Sequence, residues 1–128
     1  MILDTSAIVA LFLKEPGHEA LLDKLASAAA PGIGTPTLTE TTIVLEVRLR
    51  RDPRAALARF LQAFRVTPVP FGEAHWHEAA RAWREFGKGR HPAALNLGDC
   101  MSYAVARLSG QPLLCKGQDF PKTDLALA

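Results

Sequence analysis

Four acidic residues stand where the sequence is expected to pass from a strand or loop into a helix or turn: Asp4, Glu40, Asp99 and Asp119. Asp4 directly follows three apolar residues, and Asp119 comes shortly after the apolar run at 113–115. Each acid alone has an ordinary explanation, because helix N-termini and turns both favour carboxylates. In an α/β fold with parallel strands, however, these positions can meet at one edge of the sheet.

Carboxylates that meet in this way would support a particular chemistry. Like charges at short distance raise each other's pKa values, so a cluster of three or four is stable mainly when a cation neutralises it. Oxygen ligands select hard cations such as Mg²⁺ or Mn²⁺. These ions activate a water molecule and stabilise charge on a phosphoryl group, which is the chemistry of phosphodiester hydrolysis. The convergence of the four acids is a hypothesis at this point.

The elements that would position these acids alternate along the chain. Hydrophobic periodicity, breaks at Pro and Gly, and capping residues predict six helices, at 5–13, 17–29, 37–50, 53–64, 73–86 and 99–108. Short apolar runs predict strands at 1–4, 65–69 and 112–115, with weaker candidates at 33–35 and 125–127. Such alternation indicates an α/β fold with a parallel sheet covered by helices, whose ligands bind at the carboxyl ends of the strands.

The predicted helix starts place two of the acids more closely. The stretch Thr37-Leu38-Thr39-Glu40 fits a capping box, which predicts Glu40 in the first turn of its helix. Asp52 followed by Pro53 is typical of an N-cap and a first helical residue. Asp99 is expected to open the helix that follows the loop at 87–96.

Composition sets the class of protein. The 128 residues suit one domain, 1–128, with 48% hydrophobic and 22% charged residues. The net charge of +2 is too small to indicate nucleic-acid binding by itself. Six arginines between 48 and 65 are either backbone contacts for a nucleic acid or a solvated helix face.

Two cysteines without a CxxC pair predict buried free thiols. No run of about 18 apolar residues and no signal peptide is present, so we expect a cytoplasmic protein without a membrane span.

Four stretches in order carry a family resemblance that spans essentially the whole chain. They are MILDTSAIVALFLKEPG at the start, TPTLTET around Glu40, HPAALNLGDCMSYAVAR around Asp99, and LLCKGQDFPKTDL near the end. In their order and spacing they resemble a PIN domain, in particular the VapC-type toxins of bacterial toxin–antitoxin systems. The resemblance implies a three-layer α/β/α sandwich with a central parallel sheet. It also implies an endoribonuclease that uses Mg²⁺ or Mn²⁺ held by carboxylates.

The resemblance also assigns roles to residues. The metal-binding and catalytic acids would be Asp4, Glu40, Asp99 and Asp119. Asp4 and Asp99 would hold an ion directly, and the other two would act through water or hold a second ion. Many PIN domains carry two acids in the last loop, but Gly117 stands here in place of the first. The fourth acid is therefore Asp119 or Asp124.

Two polar residues resemble supporting positions of the family, and the family's partners follow from the same resemblance. Ser6 is similar to the hydroxyl that helps to order the site, and Asn96 matches a polar residue in the loop before Asp99. The implied partners are an RNA substrate, a small antitoxin protein and a second copy in a homodimer. The alternative, motivated by Gly117, is a PIN scaffold with a weakened site that acts mainly by binding an antitoxin.

Overall fold

A four-stranded parallel sheet lies at the centre of the computed structural model, which describes all residues 1–128. The strands are β1 (Ile2–Leu3), β2 (Gly32–Gly34), β3 (Thr67–Val69) and β4 (Leu113–Leu114). Their order is β3-β2-β1-β4, with Ile2 paired to Gly32 on one side and to Leu113 on the other. The predicted parallel α/β sheet is confirmed. Of the weaker strand candidates, 33–35 corresponds to β2, and 125–127 contributes only an isolated bridge from Leu127 to Leu113.

Six helices connect and cover the strands: α1 (Thr5–Phe12), α2 (His18–Ala26), α3 (Thr35–Leu49), α4 (Arg54–Ala63), α5 (Glu73–Phe86) and α6 (Leu97–Ser109). One turn of 3₁₀ helix follows at Phe120–Lys122. All six were predicted, with boundaries that differ by a few residues. None of them combines the length and hydropathy that a membrane span requires.

The strands separate two hydrophobic cores because neighbouring strand residues point to opposite faces. Leu3 and Leu114 belong to the core under α1–α4, whereas Ile2 and Leu113 belong to the core under α5 and α6. Both faces of the sheet are therefore covered at β1 and β4, which explains why these two strands are continuous apolar runs. This arrangement is the predicted three-layer α/β/α sandwich.

Two helices begin earlier than predicted, and this changes the local role of the acids. The first residue of α3 is Thr35, with Pro36 in its first turn, so the capping box predicted at 37–40 is wrong. The hydroxyl of Thr37 is instead buried against the Ser102 hydroxyl at 3.0 Å. Glu40 is the sixth helical residue, so its carboxylate lies beyond the first turn and does not cap the helix.

The start of α6 is likewise set by a residue before the predicted acid. Asn96 is the N-cap, and its side chain accepts a hydrogen bond from the Asp99 backbone N–H at 2.9 Å. Asp99 returns a hydrogen bond by accepting from the Asn96 backbone N–H at 3.1 Å. Asp99 is thus the third helical residue, and this reciprocal box fixes its position relative to the loop.

Close packing brings α6 to the end of β2. A Cβ at Gly34 would lie 2.8 Å from the Cγ2 atom of Val105, so only glycine permits this approach. The third turn of α6 therefore packs directly against the carboxyl end of β2. Both cysteines are free thiols, as predicted; Cys100 is fully buried and Cys115 is partly buried.

Candidate active site

A cavity of about 420 Å³, here called the acidic cavity, lies at the carboxyl ends of β1 and β4. Three of the predicted acids line it, from α1's N-cap, α3 and α6: Asp4, Glu40 and Asp99. The other lining residues are Thr5, Ser6, Val9, Glu15, Val44, Lys116 and Gly117. Three carboxylates that are far apart in sequence thus face one space, as the position of strand ends predicted.

Asp4 is held by hydroxyl groups on both of its oxygens. Oδ2 accepts from the Ser6 backbone N–H at 2.9 Å and from the Ser6 hydroxyl at 2.6 Å. Oδ1 accepts from the Ser102 hydroxyl at 2.7 Å. The residue is only 4% exposed and also caps α1, so its capping role and a functional role are compatible. Ser6 therefore contacts Asp4 through both its backbone and its hydroxyl, and Ser102 is a partner that the sequence did not indicate.

Glu40 crosses from α3 toward the first turn of α6. Its Oε1 atom accepts a hydrogen bond from the Thr5 hydroxyl at 2.6 Å, and Thr5 in turn accepts from the Thr41 hydroxyl at 3.0 Å. A Cβ at Gly98 would lie 2.7 Å from Glu40 Cδ and would overlap Oε2. The absence of a side chain at Gly98 therefore leaves the space that the Glu40 carboxylate occupies.

Asp99 is the acid whose charge is most disfavoured. Burial and, to a smaller extent, the neighbouring charges of Asp4, Asp119 and Glu40 raise its pKa to about 6, against the opposing hydrogen bond from the Asn96 backbone N–H. This carboxylate is therefore surrounded by negative charge that a cation would neutralise. Asp119 contributes to the field although it is exposed and does not line the cavity.

Asp124, the other candidate for the fourth acid, is engaged elsewhere. It accepts a hydrogen bond from the Tyr103 hydroxyl at 2.6 Å and pairs with Arg107 at 3.3 Å. Tyr103 is fully buried in the core under α5 and α6. The contacts of Asp124 thus anchor the end of the last loop to α6. Asp119 lies in the same loop, and its charge contributes to the raised pKa of Asp99.

The carboxylate oxygens of the acidic cavity are the type of ligand that a hard cation prefers. Their side chains do not, however, form a preassembled coordination group. No three His, Cys, Asp or Glu side chains converge closely enough to form one. The hydrogen bonds to Glu40 and Asp99 engage one oxygen of each carboxylate, Oε1 and Oδ2. Mg²⁺ retains several waters and is commonly bound through one or two carboxylates together with substrate phosphate, so the residues present fit such an ion.

Lys116 is a lining residue that sequence reasoning missed. Its ammonium group pairs with Glu15 at 2.7 Å, and its backbone N–H donates to the Ser6 hydroxyl at 2.9 Å. It is the only basic residue that lines the acidic cavity. The signal was available in LLCKGQDF, where the lysine comes two residues after the strand. The arginines of 48–65 line no part of this cavity, and their predicted contact with nucleic acid stays a prediction.

An apolar groove of about 570 Å³, separate from the acidic cavity, runs between α5 and α6. Trp76 and Trp83 line it, together with Leu97 and Met101, and Trp76 is 60% exposed. The guanidinium group of Arg90 lies over the Trp83 ring at 4.3 Å. The two tryptophans are seven residues apart in α5 and lie on the same face of that helix.

Comparison with known proteins agrees with this geometry over nearly the full chain. The PIN domain family model matches residues 1–125. Ribonuclease VapC36 of Mycobacterium tuberculosis is 45% identical over 126 residues, covering 98% of this chain and 91% of that protein. Ribonuclease VapC of Mycolicibacterium smegmatis is 44% identical over 127 residues, covering 98% of each.

Solved structures show the same fold at lower identity. Mycobacterium tuberculosis VapC20, described as a sarcin-ricin loop cleaving toxin, superposes with a TM-score of 0.77 and 20% identity over 99% of this chain and 97% of that one. The full-length sequence identity to VapC ribonucleases, together with this fold, identifies the chain as a member of the PIN-domain family, within the VapC ribonuclease toxins of toxin–antitoxin systems.

Proposed function

We propose that this chain is an endoribonuclease that hydrolyses RNA phosphodiester bonds with a carboxylate-held Mg²⁺ or Mn²⁺, and that it acts as the toxin of a toxin–antitoxin pair. The observation that carries the proposal is the meeting of Asp4, Glu40 and Asp99 in one cavity at the carboxyl ends of the strands. The full-length similarity to ribonucleases supports the same reaction. Residues 1–128 act as a single domain, because both cores share one sheet.

In this proposal, Asp4 and Asp99 bind the ion directly, and Glu40 and Asp119 act on it through water. A bound Mg²⁺ or Mn²⁺ would activate water and stabilise negative charge on the phosphate. Ser6 and Ser102 hold the Asp4 carboxylate in one orientation, while Thr5 does the same for Glu40. Asn96 holds Asp99 through the cap of α6. Asp124 supports the loop of Asp119 rather than binding an ion.

The hydrolysis itself is a displacement at phosphorus. The oxygen of water forms a bond to phosphorus and the water gives up a proton to solvent, while the bond from phosphorus to the 3′ oxygen breaks and that oxygen takes up a proton from solvent. The expected products are a 5′-phosphate and a 3′-hydroxyl. The pre-formed orientation of the carboxylates lowers the reorganisation needed when charge develops on the phosphate.

The test is cleavage of a mixed RNA substrate by folded, antitoxin-free protein in Mg²⁺, in Mn²⁺ and in EDTA. We expect metal-dependent cleavage by the wild type and none by Asp99→Asn. Asp23→Asn is the matched control, because Asp23 is an exposed acid of α2 that lines no part of the acidic cavity. Cleavage that survives Asp99→Asn would refute the assignment of the site. Absence of cleavage with either metal would favour the alternative, an antitoxin-binding scaffold.

The partners are proposed on the same basis. One solved structure that shares the fold is described as a toxin-antitoxin complex from Klebsiella pneumoniae, with a TM-score of 0.72 at 16% identity. We infer a small antitoxin protein as the partner of this chain, a homodimer as its oligomeric state, and the cytoplasm as its location. Co-expression with the protein encoded beside it, followed by light scattering of the toxin alone and of the complex, tests the first two.

A further inference from the structure

We propose that Lys116 contacts the RNA phosphate at the cleavage site and that Glu15 is a positioning residue, which holds the Lys116 ammonium group at the rim of the acidic cavity. The inference rests on the proposed ribonuclease function and adds a cation of the chain itself to the carboxylates. It starts from the pair itself, whose Nζ and Oε2 atoms are 2.7 Å apart although the residues are 101 positions apart in sequence.

The main chain of Lys116 is tied to Asp4 by two hydrogen bonds in series. The Lys116 backbone N–H donates to the Ser6 hydroxyl at 2.9 Å, and that hydroxyl donates to Asp4 Oδ2 at 2.6 Å. The backbone N–H of Asp4 in turn donates to the Leu114 carbonyl at 2.9 Å. The position of Lys116 is therefore fixed relative to the buried carboxylate, and only its side chain remains adjustable.

Glu15 holds this side chain from the opposite rim. It lies just after α1, where its backbone N–H donates to the Ala10 carbonyl at 2.9 Å. The side chains of Lys116 and Glu15 are 36% and 28% exposed, so both remain open to a ligand. A lysine ammonium group has three donors, and Glu15 engages one of them. Lys116 can therefore keep its contact with Glu15 while it donates to a phosphate oxygen.

The charge of the cavity explains why a cation is needed there. Four carboxylates line it, namely Asp4, Glu15, Glu40 and Asp99, and Lys116 is their single basic neighbour in the lining. A phosphodiester that enters this space meets repulsion from the acids. A bound divalent ion offsets part of that repulsion, and the ammonium group offers a directed hydrogen bond to a non-bridging phosphate oxygen. Extra charge on that oxygen in the transition state strengthens the same bond.

The competing explanation is a structural tie between the last loop and α1. Both explanations predict that Lys116→Met breaks the ion pair, so a second variant is needed to separate them. Glu15→Gln breaks the same pair but leaves the ammonium group in place. A structural tie predicts equal effects of the two substitutions, whereas a phosphate contact predicts a much larger effect of Lys116→Met.

The experiment measures kcat, KM and their salt dependence on a short labelled RNA, for the wild type, Lys116→Met, Lys116→Arg and Glu15→Gln. Lys122→Met is the matched control, because Lys122 is an exposed lysine of the same loop that does not line the cavity. Circular dichroism establishes that each variant is folded, and Mn²⁺ titration of the RNA-free protein measures ion binding separately.

We expect Lys116→Met to lower kcat/KM about 100-fold, mainly through kcat, as removal of a directed donor to developing charge does. The slope of log KM against log salt should decrease by about 0.7, the value for one phosphate contact on a single strand. Lys116→Arg should recover most of the activity, Glu15→Gln should lose less than about tenfold, and Mn²⁺ affinity should not fall in any of them.

Equal losses in Lys116→Met and Glu15→Gln, or wild-type kcat/KM in Lys116→Met, would overturn the proposal while the ribonuclease function stands. A loss of Mn²⁺ affinity in Lys116→Met that accounts for the whole decrease in rate would also overturn it. Absence of metal-dependent cleavage by the wild type would overturn both.

Discussion

Substitution of Gly98 by alanine tests whether the position of the Glu40 carboxylate matters to catalysis. The new Cβ would lie 2.7 Å from Glu40 Cδ and 2.9 Å from Oε1, whereas ordinary contact is 3.4–4 Å. Glu40 must therefore move by about 1 Å, and its 2.6 Å hydrogen bond from Thr5 is lost or weakened. The carboxylate is the end of a flexible side chain, so the displacement itself is not prevented by the fold.

The two expected changes in the free energy of unfolding nearly cancel each other, whereas the expected loss of activity has no compensating change. Loss of the hydrogen bond costs about 1 kcal/mol, and replacement of glycine by alanine in a helix returns up to about 1 kcal/mol. We therefore expect a melting temperature within about 5 °C of the wild type. A displacement of this size at a catalytic group lowers the rate by about 100-fold. Thermal denaturation and RNA cleavage in Mg²⁺ measure the two quantities on the same preparation.

A double-mutant cycle with Glu40→Ala supplies the control. In that background the clash is absent, so Gly98→Ala should raise stability and should cause no further loss of cleavage. Wild-type cleavage by Gly98→Ala would refute the reasoning. An equal loss of cleavage in the two backgrounds would refute it too, because the effect would then come from the first turn of α6 rather than from Glu40.

Two further substitutions separate stability from function. In EDTA at pH 7.5, Asp99→Asn should raise the free energy of unfolding by about 1–2 kcal/mol, because burial and neighbouring carboxylates oppose the Asp99 charge. Urea denaturation measures this value. An unchanged or lower free energy of unfolding would contradict the repulsion between carboxylates that we infer for the cavity. Tyr103→Phe should lower the free energy of unfolding by about 1–2 kcal/mol at pH 7, because Asp124 loses its donor at 2.6 Å. Burial and the Asp124 hydrogen bond raise the pKa of Tyr103 to about 12, from 10. The folded protein thus keeps its proton where the unfolded chain loses it, so the stability that Tyr103 contributes is full below pH 10 and falls between pH 10 and 12. The gap between wild type and Tyr103→Phe should narrow over that range in chemical denaturation, and a constant gap would show that the hydroxyl does not titrate as expected.

The carboxyl ends of strands could be located from the sequence, and with them the meeting of Asp4, Glu40 and Asp99. Asp4 follows the first predicted strand, Glu40 lies near the start of the helix after the second, and Asp99 opens a helix after a loop. A parallel sheet can bring such strand ends and helix starts to one edge. The helix starts were less predictable. The helices α3 and α6 begin at Thr35 and Leu97, each two residues before the predicted position. Whether Thr37 or Asp99 opens its helix cannot be judged from the local sequence.

Contacts between distant segments could not be predicted at all. The pair of Glu15 and Lys116 depends on how the end of α1 faces the loop after β4, which tertiary packing decides. The hydrogen bond from Ser102 to Asp4 joins residues 98 positions apart and depends on the close approach of α6 to the sheet. Asp124 could be distinguished from Asp119 only when its contact with Tyr103 was known.

The strand order β3-β2-β1-β4 determines when the acidic cavity can be completed during synthesis of the chain. The strand β1 gains its second neighbour in the sheet only when β4 is synthesised, and β4 lies 111 residues later in the register that pairs Ile2 with Leu113 and Leu3 with Leu114. Asp99, Ser102 and Lys116 also belong to this last quarter of the chain. A partly synthesised chain therefore has Asp4 and Glu40, but it lacks Asp99, the third predicted acid of the cavity, and the strand that pairs with β1 beside Asp4. Under the proposed assignment of the site, ribonuclease activity therefore requires synthesis of nearly the whole chain.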